Sequence, residues 1–315
     1  MLNQLTSPVI TSALLSLASI AWAQNVEVVT SITPANPTEC GACLEGPTVD
    51  AAGNVYFTDL PRSRILRLGT DGVVSTFRQP ANNPNGLVFD AHFRLIAAER
   101  GDAATKTPGR ITRTDMKTGR IEVLADSYNG ASFGSPNDVT FDGRGRIYFS
   151  AGGNVYRIDA DGKVAQVVAA PVVDSSNGVM ISPDDRKLYV VEMNRGPNGP
   201  RRVRVFDLGT DGTASNPRVF HEFFPGRGGD GMVIDVDGNL YVAAGMHKPR
   251  GTTETLDVKT GVHVFSPSGV LIQHISIPID TITNVAFGGP DLKTLYVTSG
   301  TTLYKVANKI AGTRR

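Results

Sequence analysis

Four side chains that offer hard oxygen, Glu45, Asn137, Asn177 and Asp230, recur at one position of a repeated pattern in this 315-residue chain. Two bring carboxylates and two bring amide oxygens, with no thiolate or imidazole among them. Such a donor set suits one hard divalent cation, calcium first, with magnesium, manganese or zinc as alternatives. Asp230, and Asp138 beside Asn137, are also candidate bases for activating a water. An Asn or Asp before Gly is an ordinary turn residue that bonds its own backbone. That reading explains a single such residue well. It explains four equivalent ones poorly, and no turn requires Glu45.

The elements that must position these groups are themselves repeated. Six copies run EGPTVDAAGNVYFTD from Glu45, PNGLVFDAHFRLIAAE from Pro84, PNDVTFDGRGRIYFS from Pro136, SNGVMISPDDRKLYVVE from Ser176, GDGMVIDVDGNLYVAAG from Gly229 and TNVAFGGPDLKTLYVTSG from Thr283. Each reads as a short apolar strand, a polar turn and a second apolar strand. Gly46, Gly86, Asp138, Gly178, Gly231 and Val285 fill one slot, at separations of roughly 40 to 54 residues, the length of a four-stranded propeller blade. Between copies, RILRLGTDGVVSTF, VYRIDADGKVAQVV, RRVRVFDLGTDGTA and GVHVFSPSGVLIQHI alternate around turn dipeptides and read as hairpins. The pattern predicts an all-β, six-bladed β-propeller of four-stranded antiparallel blades. Its equivalent lead residues would point at a common axis.

Composition narrows the partners. The 31 basic and 30 acidic side chains give a formal charge of +1 without a basic stripe, which argues against nucleic acid. Arg201, Arg202 and Arg204 read as the solvated edge of a hairpin strand. The five histidines lack metal-ligand spacing and read as turn or surface residues. No G-x-S-x-G elbow supplies a serine nucleophile. Residues 1–23 contain TSALLSLASIAWA and end Ala21-Trp22-Ala23, a secretory signal pattern. The apolar run is shorter than the roughly 20 residues a membrane span needs. The expectation is an exported protein, periplasmic or secreted, with no membrane attachment after cleavage and one propeller domain over residues 24–315. Cys40 and Cys43 would form a local disulfide in that oxidising compartment, and no second pair exists to complete a zinc site. No motif sets an oligomeric state.

The motifs EGP, SPNDV, SNGV, GDGM and TNVAFGGPDLKTLYVT, with GVHVFSPSG before the last, resemble those of the gluconolactonase, regucalcin and luciferin-regenerating-enzyme family. The resemblance covers roughly residues 40 to 306, all six repeats, and is closest to bacterial gluconolactonase-like members. It implies that Glu45, Asn177 and Asp230 hold a central divalent metal and that Asp230 is the general base. Asn137 would contact substrate or complete the metal shell. The implied reaction is hydrolysis of a small-molecule lactone or related ester. Animal members carry an arginine two residues before the equivalent of Asn137, where this chain has Ser135.

Two further stretches read as substrate contacts. Met246 to Asp257 (MHKPRGTTETLD) is long and polar enough to fold over the mouth as a lid, presenting His247, Arg250 and Glu254. Its plain reading is a surface loop. Arg100 would reach an anionic or hydroxylated substrate, or sit in a peripheral salt bridge. Two rival functions use the same fold: a non-catalytic binding scaffold whose calcium only ties the blades, or a propeller enzyme of other chemistry, phosphotriester hydrolysis or sugar-acid modification.

Overall fold

The computed structural model describes residues 25–34 and 44–313. The leader and the Cys40–Cys43 pair lie outside them. Six four-stranded antiparallel sheets form a ring, as the repeat requires. The inner strands are Leu44–Val49, Pro84–Phe89, Pro136–Phe141, Ser176–Ile181, Gly229–Ile234 and Ile282–Gly288. Each repeat copy supplies the first two strands of a blade. In blades one to five the following hairpin supplies the outer two. Blade six differs: after Thr302–Ala307 its outermost strand is Val26–Ser31, from the other end of the chain. That strand was not legible, because Val26–Ser31 carries no turn partner nearby in sequence.

The polar turn between the first two strands has a local cause. Asp50, Asp142 and Asp235 each accept backbone N–H bonds from the residues two and four positions on, at 2.8 to 3.0 Å. The hydroxyls of Tyr56, Tyr148 and Tyr241 close on the same carboxylates. The spacing of Asp to Tyr in the copies therefore encodes an Asp-capped hairpin. Six apolar clusters lie between neighbouring blades, so each joint is a small core. Fourth strands such as Val74–Arg78 and Ile121–Ala125 are half-buried to exposed, with no fully buried residue.

Two surface readings are corrected. Arg201 is fully buried and donates to the carbonyls of Asn194, Gly196 and Pro225 and to Thr253 Oγ1. Arg202 and Arg204 both bond the buried carboxylate of Glu192, at 2.6 and 2.7 Å. Arg202 and Arg204 satisfy a buried acid and Arg201 braces the adjoining loops, because their strand is the third of its sheet and not the edge.

His263 is also buried, with its ring 4.8 Å from that of His274 and near His221 and Phe265. Burial pushes its imidazole down to about 4; the neighbouring histidines push the same way, and the bond to the Lys259 carbonyl opposes them. Below the free value of 6.5 the unfolded chain takes up a proton that the folded chain refuses. Stability should fall as the pH drops from 6.5 towards 4, by up to about 3 kcal/mol from this residue. His263→Gln should flatten that limb in melts taken across pH. An unchanged slope would place the acid sensitivity elsewhere.

Candidate metal centre and active site

Every inner strand carries a register irregularity at the start of the blade motif. Such irregularities re-aim side chains, and here they bring the lead residues to the axis. The lead slot is oxygen-bearing in all six blades, not four: Glu45, Asn85, Asn137, Asn177, Asp230 and Asn284. The residue that follows is glycine in four of them. A Cβ on Gly46, Gly86, Gly178 or Gly231 would collide with the next blade at its lead residue or the one after it. Glycine therefore lets adjacent inner strands close around a narrow ring. Hydroxyls from the second strands lock the joints: Thr58 Oγ1 donates to the Asn85 carbonyl at 3.2 Å, and Ser150 Oγ donates to the Asn177 carbonyl.

The ring concentrates negative charge in a dry place. Glu45, Asp138 and Asp230 are 5, 7 and 5% exposed. Burial raises the Glu45 carboxyl well above the ordinary range, and the charges of Asp230 and Asp138 push it further. Burial drives Asp138 up to about 7 against the Val139 amide bond that holds it down; Asp230 adds to the rise. Asp230 is raised by burial and pulled back by Arg227, then by Arg195 and Arg250. The Asn284 amide supports both Glu45 and Asp138.

Two buried amide oxygens of the ring, Asn85 Oδ1 and Asn177 Oδ1, lack hydrogen-bond partners. Orphaned acceptors beside repelling carboxylates fit a hard cation, which would satisfy the oxygens and cancel the repulsion. Among the described residues no three His, Cys, Asp or Glu side chains are placed to hold a metal by themselves. The amide oxygens are therefore essential to any cage. Asn137 Oδ1 already accepts from Asn85 Nδ2 at 2.9 Å, so Asn177 is the better-placed amide ligand.

Besides Asn85 and Asn284, the sequence reading missed Arg227, the buried partner of Asp230. It is fully buried, donates from Nη2 to Asp230 Oδ2 at 2.6 Å and from Nη1 to the Gly245 carbonyl at 3.2 Å. Its only signal was a cation three residues before Asp230 in a glycine-rich stretch.

The loop after Met246 covers the same end of the ring. The backbone amides of His247 and Lys248 bond Asp280, and Arg250 Nη1 donates to Thr281 Oγ1 at 2.9 Å. Thr253 Oγ1 donates to the Arg195 carbonyl at 3.0 Å, and Arg201 bonds Thr253. The loop is thus tied to the entry of blade six on one side and to blade four on the other. Arg250 and the buried Glu254 face each other at 3.7 Å. The His247 ring is engaged by the Ile277 carbonyl at 2.7 Å. Arg100 is exposed and donates to Ser135 Oγ at 3.0 Å, while its neighbour Glu99 is paired with Arg78 and Arg110.

A cavity of about 780 Å³ opens at the opposite end of the axis, lined by Phe89, Phe141, Met180, Met232 and Phe287 among others. Asp138 and Asn284 form part of its inner wall. Its lining is polar and apolar in equal measure and holds neither Glu45, Asn177 nor Asp230.

Similarity to known proteins agrees with this geometry. Residues 43–301 match the model of the SMP-30/Gluconolactonase/LRE-like region. A gluconolactonase of Zymomonas mobilis is 27% identical over 85% of this chain and 79% of that protein. A 6-deoxy-6-sulfogluconolactonase of Pseudomonas putida is 31% identical over 78% of each. A solved gluconolactonase from Xanthomonas campestris superposes with a TM-score of 0.74 at 25% identity, covering 90% of this chain and 89% of that one. With its six blades, its axial oxygen ring and a match over most of its length, the chain belongs to the SMP-30/gluconolactonase/LRE-like family.

Proposed function

We propose that this protein is a metal-dependent lactonase that opens a sugar-acid lactone such as gluconolactone, or a related ester, at a divalent cation on the propeller axis. The observation that carries this reading is the buried ring in which orphaned amide oxygens stand beside mutually repelling carboxylates. The family, and relatives named for gluconolactone and 6-deoxy-6-sulfogluconolactone, support a lactone substrate. Glu45, Asn177 and Asp230 hold the cation, calcium by the chemistry of the donors. A cation bound there would polarise the lactone carbonyl and stabilise its developing oxyanion.

The chain's own groups do the rest. Arg227 fixes one oxygen of Asp230 and opposes the effect of burial on its ionisation, leaving a carboxylate able to take a proton from the attacking water. The water's hydroxyl joins the carbonyl carbon, the ring C–O bond breaks, and the departing oxygen gains a proton. Asn137 contacts the substrate, and the tied loop after Met246 limits water at the mouth. Asp138 lies one residue deeper and is the alternative base. Export by way of residues 1–23 belongs to the same proposal.

The test is hydrolysis of a lactone panel by chelated protein resupplied with calcium, magnesium, manganese or zinc. Chelation should stop turnover and lower the melting temperature. Calcium at 100 times its Kd should restore activity and add about 2.7 kcal/mol of stability. An Asp138→Asn protein that still turns over leaves proton transfer with Asp230. Tight metal binding without turnover of any lactone would sink the reading in favour of a structural ion.

A further inference from the structure

The mouth of the ring holds more positive charge than its partners absorb. Arg227, Arg250 and Arg195 gather about Asp230, and the carboxylates among them are Asp230 and Glu254. Arg227 takes Asp230 at 2.6 Å. Arg250 meets Glu254 only at 3.7 Å, beyond hydrogen-bond reach. Arg250 Nη2, Arg227 Nε and Glu254 Oε1 are all buried without hydrogen-bond partners. Arg195 is exposed on the blade-four turn, whose backbone is pinned to the loop through Thr253. With Arg227 held by Asp230, Arg250 and Arg195 have Glu254 as their one remaining carboxylate among those named. A guanidinium with a free, buried N–H presents the planar fork that best recognises a carboxylate or sulfonate.

We propose that Arg250, with Arg195 beside it, forms a subsite for a fixed negative charge on the substrate, so that the preferred lactone carries an anionic substituent away from the ring being opened. Arg250 is placed for this by three contacts: Thr281 Oγ1 on Nη1, Glu254 near Nη2, and the Arg201–Thr253 brace that holds its loop to blade four. Arg227 stays with Asp230 and sets the depth to which the anion can enter. The inference rests on the lactonase reading for its reaction but not for its binding.

Two lactones separate the possibilities. D-Glucono-1,4-lactone and D-glucaro-1,4-lactone share a ring and differ at the terminal carbon, a CH2OH in one and a carboxylate in the other. The calcium-loaded protein should favour the glucaro compound at least about 10-fold in kcat/KM. Arg250→Met should bring the ratio of the two close to one, Arg250→Lys should keep part of it, and Arg195→Gln, at an exposed position, should reduce it several-fold. The same comparison is made in equilibrium binding, with glucarate against gluconate. A ratio near one in the unmodified protein, or a ratio unmoved by both arginine variants, overturns the subsite. If neither lactone is opened, the hydrolase reading fails by itself, and the binding ratio decides the subsite: tighter glucarate lost in Arg250→Met upholds it, and equal affinities overturn it.

Discussion

Glu45→Gln is expected to remove metal-dependent turnover, by at least about 100-fold in kcat/KM, since even outer-shell partners of a metal site are worth 10- to 100-fold. The same change should leave the metal-free protein as stable as before, or more so. Among the described residues Glu45 has no arginine partner; its neighbours are the carboxylates of Asp230 and Asp138, the Gly46 amide and the Asn284 amide. Gln keeps the shape and an oxygen for Gly46, and it removes a buried charge from a crowded set of like charges. The diagnostic is therefore a crossing of melting curves. Without calcium the variant melts at or above the unmodified protein, and with calcium below it. A variant that still gains stability and activity from calcium would take Glu45 out of the cation site.

Arg227→Met should produce the largest loss of stability. Breaking a buried pair at one partner leaves the other charge uncompensated and costs about 3–5 kcal/mol, which for a domain of this size lowers the melting temperature by roughly 10 °C. Asp230→Asn should cost a comparable amount, because it strands a fully buried guanidinium. The double variant should be more stable than the sum of the two losses implies, and inactive. Strict additivity in the cycle would mean that the 2.6 Å contact carries no coupling, and that Arg227 is held by Gly245 and packing alone.

The fold was legible because its cause is local and repeated. A paired strand motif recurs six times, with an Asp-capped turn in four of the copies (Asp50, Asp90, Asp142 and Asp235), and each repeat can bury its faces only against the next. Glu45, Asn177 and Asp230 were legible for the same reason. Asn85 and Asn284 could have been found by the same alignment, one position before Gly86 and Val285; the surrounding PNG and TNV looked like ordinary strand starts. The arginines could not be found that way. Arg227, Arg250 and Arg195 belong to no repeat, and they meet because loops from blades four and five converge over one end of the axis. The braced triplet at Arg201 failed for a related reason: a charge on a third strand is exposed or buried according to what the adjoining loops cover.

The closing strand gives the ring a seam, and the seam lies beside the chemistry. Val26–Ser31 pairs with Thr302–Ala307, joining residues as far apart as Val26 and Val306. One step inward, Thr283 Oγ1 donates to the carbonyl of Leu44 at 2.7 Å, and Leu44 precedes Glu45. The join between the first and last blades cannot be completed until nearly the whole chain is present, so this contact is the slowest kind to form. Glu45 therefore sits directly beside that join. If the proposed cation is held by Glu45, Asn177 and Asp230, its binding would report assembly: a chain whose two ends have not met would lack the wall that Glu45 supplies, and ion binding would mark the moment at which the circle becomes whole.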